Sequence, residues 1–268
     1  MKDTMLPSWT NPVRERLLAG GNAFGVMAFE FFTPGLAPML AAAGAEFVLL
    51  DMEHSGVGIE TIKAQIAYAH GAGIVPMVRV PACAYHLIAP VLDAGALGIM
   101  APLVETREQA DLLAAACRYR PEGRRGLGFG VAHDRYTAGP VRPKMHAANE
   151  AILTIALIES ARGVENAQAI LSTPGIDLGW LGHYDLSDSL GCAEDFNDPR
   201  YIAAESKLLA AATATGRPLG WLVNTGMAAQ EAVRRGYRCI CIGHEVGVLR
   251  NALAHEFAHA RKEGRAEP

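Results

Sequence analysis

Eight short, continuous apolar runs recur along this chain, near residues 24–29, 47–51, 75–80, 98–101, 153–159, 178–182, 219–223 and 239–242. They are runs rather than alternations, which is the pattern of parallel strands covered on both faces. Ahead of many of them stands an Ala-rich helical stretch ended by a glycine. Gly44, Gly71, Gly95, Gly216 and Gly236 sit where a left-handed helix cap belongs, since glycine adopts positive φ without a Cβ penalty. Thr106 and Gln109 have the spacing of a capping box at the start of TREQADLLAAACRY. The repeating unit is helix, stop, strand, and eight such units predict one (β/α)8 barrel over residues 1–268. A doubly wound open sheet would place a Gly-rich phosphate turn after its first strand. Here FGVMAFE leads into FFTPG, and Gly126, Gly128 and Gly130 do not complete GxGxxG.

Half of the residues are hydrophobic and 19% are charged, enough apolar material for a large core. A formal charge of -4 with scattered Lys and Arg leaves no basic stripe, so nucleic acid is not an expected partner. No run of about eighteen apolar residues predicts a membrane span. The segment MKDTMLPSWTNP lacks the basic and apolar regions of a secretory signal, so a cytoplasmic protein is expected. Cys83, Cys117, Cys192, Cys239 and Cys241 form no CxxC pair and read as core thiols of a reducing compartment.

Charged side chains close several of the apolar runs, where they are costly unless paired, metal-bound or at work in a site. In a barrel the C-terminal strand ends share one face, and barrel enzymes keep their sites there. Glu159 and Asp185 end consecutive strands and can converge on a hard divalent cation, Mg2+ or Mn2+. Each could instead cap the helix that follows it. Asp51 and His54 follow the second strand, where a carboxylate that orients an imidazole makes an acid–base pair. A capping or surface role is the alternative. Arg79, in MVRVP, suits a carboxylate or a developing oxyanion, or else a buried ion pair with Asp51 or Glu53. None of the five lysines closes an apolar run, so a Schiff base has no candidate. Residues 118–150 break the rhythm with a Gly- and Pro-rich stretch carrying Arg124, Arg125, His133 and Arg135, and read as a long loop on the active-site face or as a solvated surface loop.

Together the motifs LLDMEHS, VRVP, VLDAGA, RYRPEGRRGLG, LIESARGVEN, GHYDLSDSLG and the closing CIG resemble those of the metal-dependent class II pyruvate aldolases, the family of 2,4-dihydroxyhept-2-ene-1,7-dioate aldolase and the 2-keto-3-deoxy sugar-acid aldolases. The resemblance runs from about Gly25 to about Leu249. It implies an aldolase that forms or cleaves 4-hydroxy-2-oxo acids through a pyruvate-type enolate and an aldehyde. By the same resemblance Glu159 and Asp185 would be metal ligands for Mg2+ or Mn2+, with Co2+ a further candidate and no organic cofactor. His54 with Asp51 would move the proton, and Arg79 would polarise the keto oxygen. Glu53, Gly182, His183, Tyr184 and Arg125 would lie in or beside the substrate pocket. Asp93 would reach a neighbouring subunit, in a homohexamer built as a trimer of dimers with exchanged C-terminal helices. Two motifs depart from the family. His183 and Tyr184 stand within what is usually G-P-x-D-L, and Leu157 stands where a Gln is common. The alternatives are a metal-dependent decarboxylase or C–C lyase acting on oxaloacetate or a hydroxyacyl thioester, and a non-catalytic barrel that binds a 2-oxo acid.

Overall fold

A computed structural model describes residues 10–263. Its eight strands are β1 (Ala23–Ala28), β2 (Phe47–Asp51), β3 (Val75–Arg79), β4 (Gly98–Ala101), β5 (Leu153–Ile158), β6 (Leu178–Leu181), β7 (Leu219–Val223) and β8 (Tyr237–His244). Each pairs in parallel with the next, and β8 pairs back onto β1, closing the barrel. This is the (β/α)8 barrel that the apolar runs predict. Every residue of β2, β3, β4, β5 and β6 is buried, which explains why these strands read as unbroken apolar runs. Burying a Leu, Ile or Met side chain such as Leu49, Met77 or Ile99 contributes about 1.5–3 kcal/mol. That sum sets the barrel wall firmly enough to carry charged groups at its rim.

The helices pack outside, and their ends follow the local signals. Thr106 accepts from the Gln109 N–H, and the Gln109 side chain accepts from the Thr106 N–H, completing the capping box. Gly44, Gly95, Gly216 and Gly236 all have positive φ, as expected. Gly71 does not. It lies inside the helix Ile59–Ala72, and the left-handed cap is Gly73 at φ 76°. There the Gly73 and Ile74 N–H groups close back on His70 and Ala69.

The segment 118–150 lies elsewhere than expected. It runs from the end of the helix Arg107–Cys117 through a short 3-10 turn, Ala132–Asp134, and the helix Val141–Ala151 into β5. As an α-to-β connection it sits at the N-terminal ends of the strands of its own barrel, not on the active-site face. Arg118 fixes one end, donating to the Ile152 carbonyl and to Asp177, which stand just ahead of β5 and β6. Lys144 and Asp134 pair inside it at 2.7 Å. Among the described residues no helix is long and apolar enough to cross a membrane.

Candidate active site

A cavity of about 530 Å³ opens at the C-terminal strand ends. Arg79 is the last residue of β3, its side chain 9% exposed on the cavity wall. Two acidic groups hold it. Its Nε donates to Asp51 Oδ1 at 2.5 Å, and its Nη1 lies 3.1 Å from Glu53 Oε2. The guanidinium also lies over the Phe29 ring, 5.8 Å from its centroid. Both readings of Arg79 therefore meet in one residue, since the ion pairs orient the side chain that faces the cavity.

Asp51 is fully buried at the end of β2. Besides Arg79 it accepts the main-chain N–H of Glu53 at 3.2 Å and that of His54 at 2.8 Å. The expected pairing of its carboxylate with the His54 imidazole is not formed. The imidazole is 58% exposed and faces Glu53 Oε2 at 3.8 Å instead. Asp51 thus orients His54 through the turn rather than through the ring, because a carboxylate at the strand end meets the next N–H groups first. His54 itself lines the cavity.

Glu159 follows β5 and is 5% exposed. Its Oε1 accepts the Leu103 N–H at 2.8 Å. Leu103 adopts φ 50°, a left-handed conformation rare for leucine, and this turns its N–H toward the carboxylate. Burial pushes the Glu159 carboxyl up to about 7, and repulsion from Glu53 and Asp185 adds to it. Glu53 is raised too, first by burial, against the pull of Arg79 and His54. Its Oε2, although close to Arg79, is buried and receives no aligned hydrogen bond. Gly182 makes this crowding possible. A Cβ there would stand 2.5 Å from Glu159 Cβ and 2.6 Å from Glu159 Oε2.

Asp185 lies in the first turn of the helix His183–Ser189 and lines the cavity. His183, which opens that helix, is held in an aromatic stack with Tyr184 (4.4 Å), Phe196 (5.4 Å) and Trp221 (5.9 Å). Burial lowers its imidazole to about 4, against the opposing pull of Asp185, so the ring is neutral near pH 7.

Two expected site residues lie far from this cavity in their own chain. Arg125 is a buried partner of Asp93 at 2.7 Å and stacks over Tyr119 at the N-terminal end of the barrel. It borders a small void with Gly95, Leu97 and Ile152, the residues that lead into β4 and β5. Arg125 therefore does not line the cavity of its own barrel, where a place beside the substrate was expected.

Among the described residues no three His, Cys, Asp or Glu side chains form a ready-made metal cage. What the cavity offers is the carboxylate pair Glu159 and Asp185, with Glu53 near enough to raise Glu159. This donor set fits a hard divalent cation that keeps water or substrate oxygens in its other positions. Mutual repulsion among the three carboxylates and the orphaned Glu53 oxygen are what such a cation would relieve.

Several cavity residues carried no sequence argument. His244 ends β8 just as Asp51 ends β2, so the same signal points to it. Phe29 packs on it edge to face at 5.2 Å. Glu245, the next residue, is buried, and its Oε1 accepts the N–H groups of Phe29 (2.8 Å), Glu30 (2.5 Å) and Phe31 (3.0 Å). That single oxygen shapes the loop after β1, which places Phe29 and Glu30 at the cavity.

Residues 26–252 match the profile of the HpcH/HpaI aldolase/citrate lyase family. A hydroxypyruvate/pyruvate aldolase of Chromohalobacter salexigens is 35% identical over 243 residues, 90% of this chain and 94% of that protein. A 5-keto-4-deoxy-D-glucarate aldolase of Escherichia coli K12 is 34% identical over 214 residues, 80% of this chain and 83% of the relative. The crystal structure of a family protein from Burkholderia cenocepacia J2315 superposes with TM-score 0.88 at 30% identity, over 94% of this chain and all of the other.

Proposed function

The chain belongs to the HpcH/HpaI aldolase/citrate lyase family and is a lyase of the aldolase type, and from that premise we propose that it makes and breaks the carbon–carbon bond of 4-hydroxy-2-oxo acids. The donor is pyruvate or a close 2-oxo acid, as the names of the hydroxypyruvate/pyruvate and keto-deoxy-glucarate aldolases suggest. The observation that carries this reading is the meeting of Arg79, His54, Glu159 and Asp185 on one cavity at the C-terminal strand ends.

Glu159 and Asp185 would hold a divalent cation, Mg2+, Mn2+ or Co2+. When bound, it supplies Lewis-acid stabilisation of the charge that develops on the keto oxygen. Arg79 binds the same region from the other side, with the donors that Asp51 and Glu53 leave unused. Its charge is permanent and its direction is fixed before substrate arrives. The His54 imidazole, exposed to the cavity, takes the proton from the donor carbon and returns one to the new hydroxyl. Leu103 and Gly182 keep Glu159 in place, the first by its N–H and the second by lacking a side chain.

The assembly follows the same reasoning. Val248, Leu249, Leu253 and Phe257 are about half exposed along the helix Glu245–Glu263, an apolar stripe that supports a homo-oligomer with exchanged C-terminal helices. A hexamer built as a trimer of dimers would also let Asp93 reach a neighbouring cavity. Five free thiols support a cytoplasmic, reducing location.

The test is exchange of the pyruvate methyl protons for deuterium, followed by proton NMR with Mg2+ or Mn2+ and again with a chelator. Exchange that the chelator stops, and that falls at least about a hundredfold in His54→Ala, supports the proposal. Absence of exchange with every divalent ion would overturn it, and oxaloacetate and thioesters would be the next donors.

A further inference from the structure

The cavity is equipped for one anionic group and lacks a partner for a second. Among its described lining residues Arg79 is the one Lys or Arg, and Asp51 and Glu53 already neutralise much of its charge. Three acidic residues, Glu30, Glu159 and Asp185, face it. Apart from His54, His183, Tyr184 and His244, the remaining wall is apolar. Met27, Phe29, Met100, Leu157, Trp180 and Leu222 come from five different strands or their ends.

The floor of that wall is built rather than incidental. Leu157 stands two residues before Glu159 in β5, on the same face, and is 2% exposed. It pairs in register with Trp180 on β6. The Trp180 ring lies against Gly220 of β7, where any side chain would collide with it. Leu157, which replaces a common amide, and the indole seated on a glycine thus make one apolar surface below the carboxylates. His183 and Tyr184, stacked on Phe196, add an aromatic rim.

We propose that the acceptor this site takes is an uncharged aldehyde with an apolar, aliphatic or aromatic body, rather than a semialdehyde bearing its own carboxylate. This rests on the aldolase reading above and names its acceptor class. In the addition, a bond forms between the donor's methyl carbon and the aldehyde carbon. The proton lost from the methyl group ends on the aldehyde oxygen, which becomes the hydroxyl, and nothing is oxidised or reduced. A second carboxylate would have to be desolvated against Leu157, Trp180 and Leu222, beside Glu30, and the described lining residues of this chain hold no Lys or Arg besides Arg79 to meet it.

The experiment compares kcat/KM for hexanal and benzaldehyde with that for succinic semialdehyde, using the Mn2+-loaded enzyme and pyruvate as donor. The uncharged aldehydes should lead by at least about tenfold, or 1.4 kcal/mol. Two variants report on the wall. Leu222→Arg should reverse the preference by supplying the missing cation, and Leu157→Gln should narrow it. Tryptophan fluorescence gives a readout without turnover, because Trp180 lines the cavity. Titration with benzyl alcohol should shift its emission at lower concentration than titration with succinate. Equal or better use of succinic semialdehyde by the unaltered enzyme overturns the inference. Pyruvate methyl exchange is measured with no acceptor present, so its presence would leave the aldolase reading standing in that case. Its absence would sink the aldolase reading itself.

Discussion

Replacing Asp51 by alanine should damage folding and chemistry together, whereas replacing His54 should damage chemistry alone. Asp51 is fully buried and is shared by Arg79 Nε and the N–H groups of Glu53 and His54. Removing it leaves a buried guanidinium with Glu53 as its remaining partner. Breaking a buried ion pair costs roughly 3–5 kcal/mol, and the two N–H groups can partly recover through solvent. A loss of about 4 kcal/mol at 2–4 °C per kcal/mol lowers Tm by roughly 8–16 °C. His54 presents a 58% exposed ring with no hydrogen bond of its own beyond the long approach to Glu53. Its loss should cost under about 0.5 kcal/mol. Thermal melts of the metal-free variants by circular dichroism, run beside pyruvate exchange, separate the two. A drop below about 3 °C for Asp51→Ala, or equal drops for both variants, would refute the reasoning. Asp51 would then act through the imidazole and not as the anchor of Arg79.

Three further outcomes are expected. Gly182→Ala should displace Glu159, because the new Cβ meets Glu159 Cβ at 2.5 Å. Such overpacking costs about 1–3 kcal/mol, and isothermal titration should show weaker Mn2+ binding than in the unaltered protein. Glu245→Ala frees three N–H groups of the loop after β1 and should destabilise by about 1–3 kcal/mol; an unchanged urea midpoint would contradict it. In the metal-free protein Glu159 is raised to about 7 from an ordinary value of 4.5, so it binds its proton more tightly folded than unfolded. That contribution is complete below about pH 4.5 and is lost as pH rises through 7. Relative to Glu159→Gln, the Tm of the metal-free protein should therefore fall between pH 5 and 8, and parallel profiles would rule this out.

The barrel was legible because its strands are buried on both faces, so β2 through β6 stand out as runs without alternation. Thr106 with Gln109 was legible for a similar reason, since a cap is made within one helical turn. Asp51, Arg79 and Glu159 announced themselves by closing apolar strands and Asp185 by following one, in the first turn of the next helix, and the cavity gathers the last three. Partnerships were less visible than positions. Nothing local tells Asp51 to bind the His54 main chain rather than its ring. Glu245 reads as an ordinary acidic residue at a helix start, and its partners lie 214–216 positions away. The side of the barrel on which 118–150 falls follows only once the helices on either side of it are counted. Gly71 and Gly73 are equally able to stop a helix, and the choice between them rests on backbone bonds to Ala69 and His70.

The long reach of Glu245 has a bearing on how the protein comes into being at the ribosome. The loop after the first strand leaves the ribosome 214–216 residues ahead of the carboxylate that its three N–H groups bind. β1 likewise waits for β8 to cover its open edge. Contacts of such wide sequence separation form late, because the loop they close must first be ordered. Until residue 245 is free to turn back, the β1 edge and the loop after it lack these native partners. Closing the barrel and shaping the cavity mouth therefore depend on the same late stretch of chain.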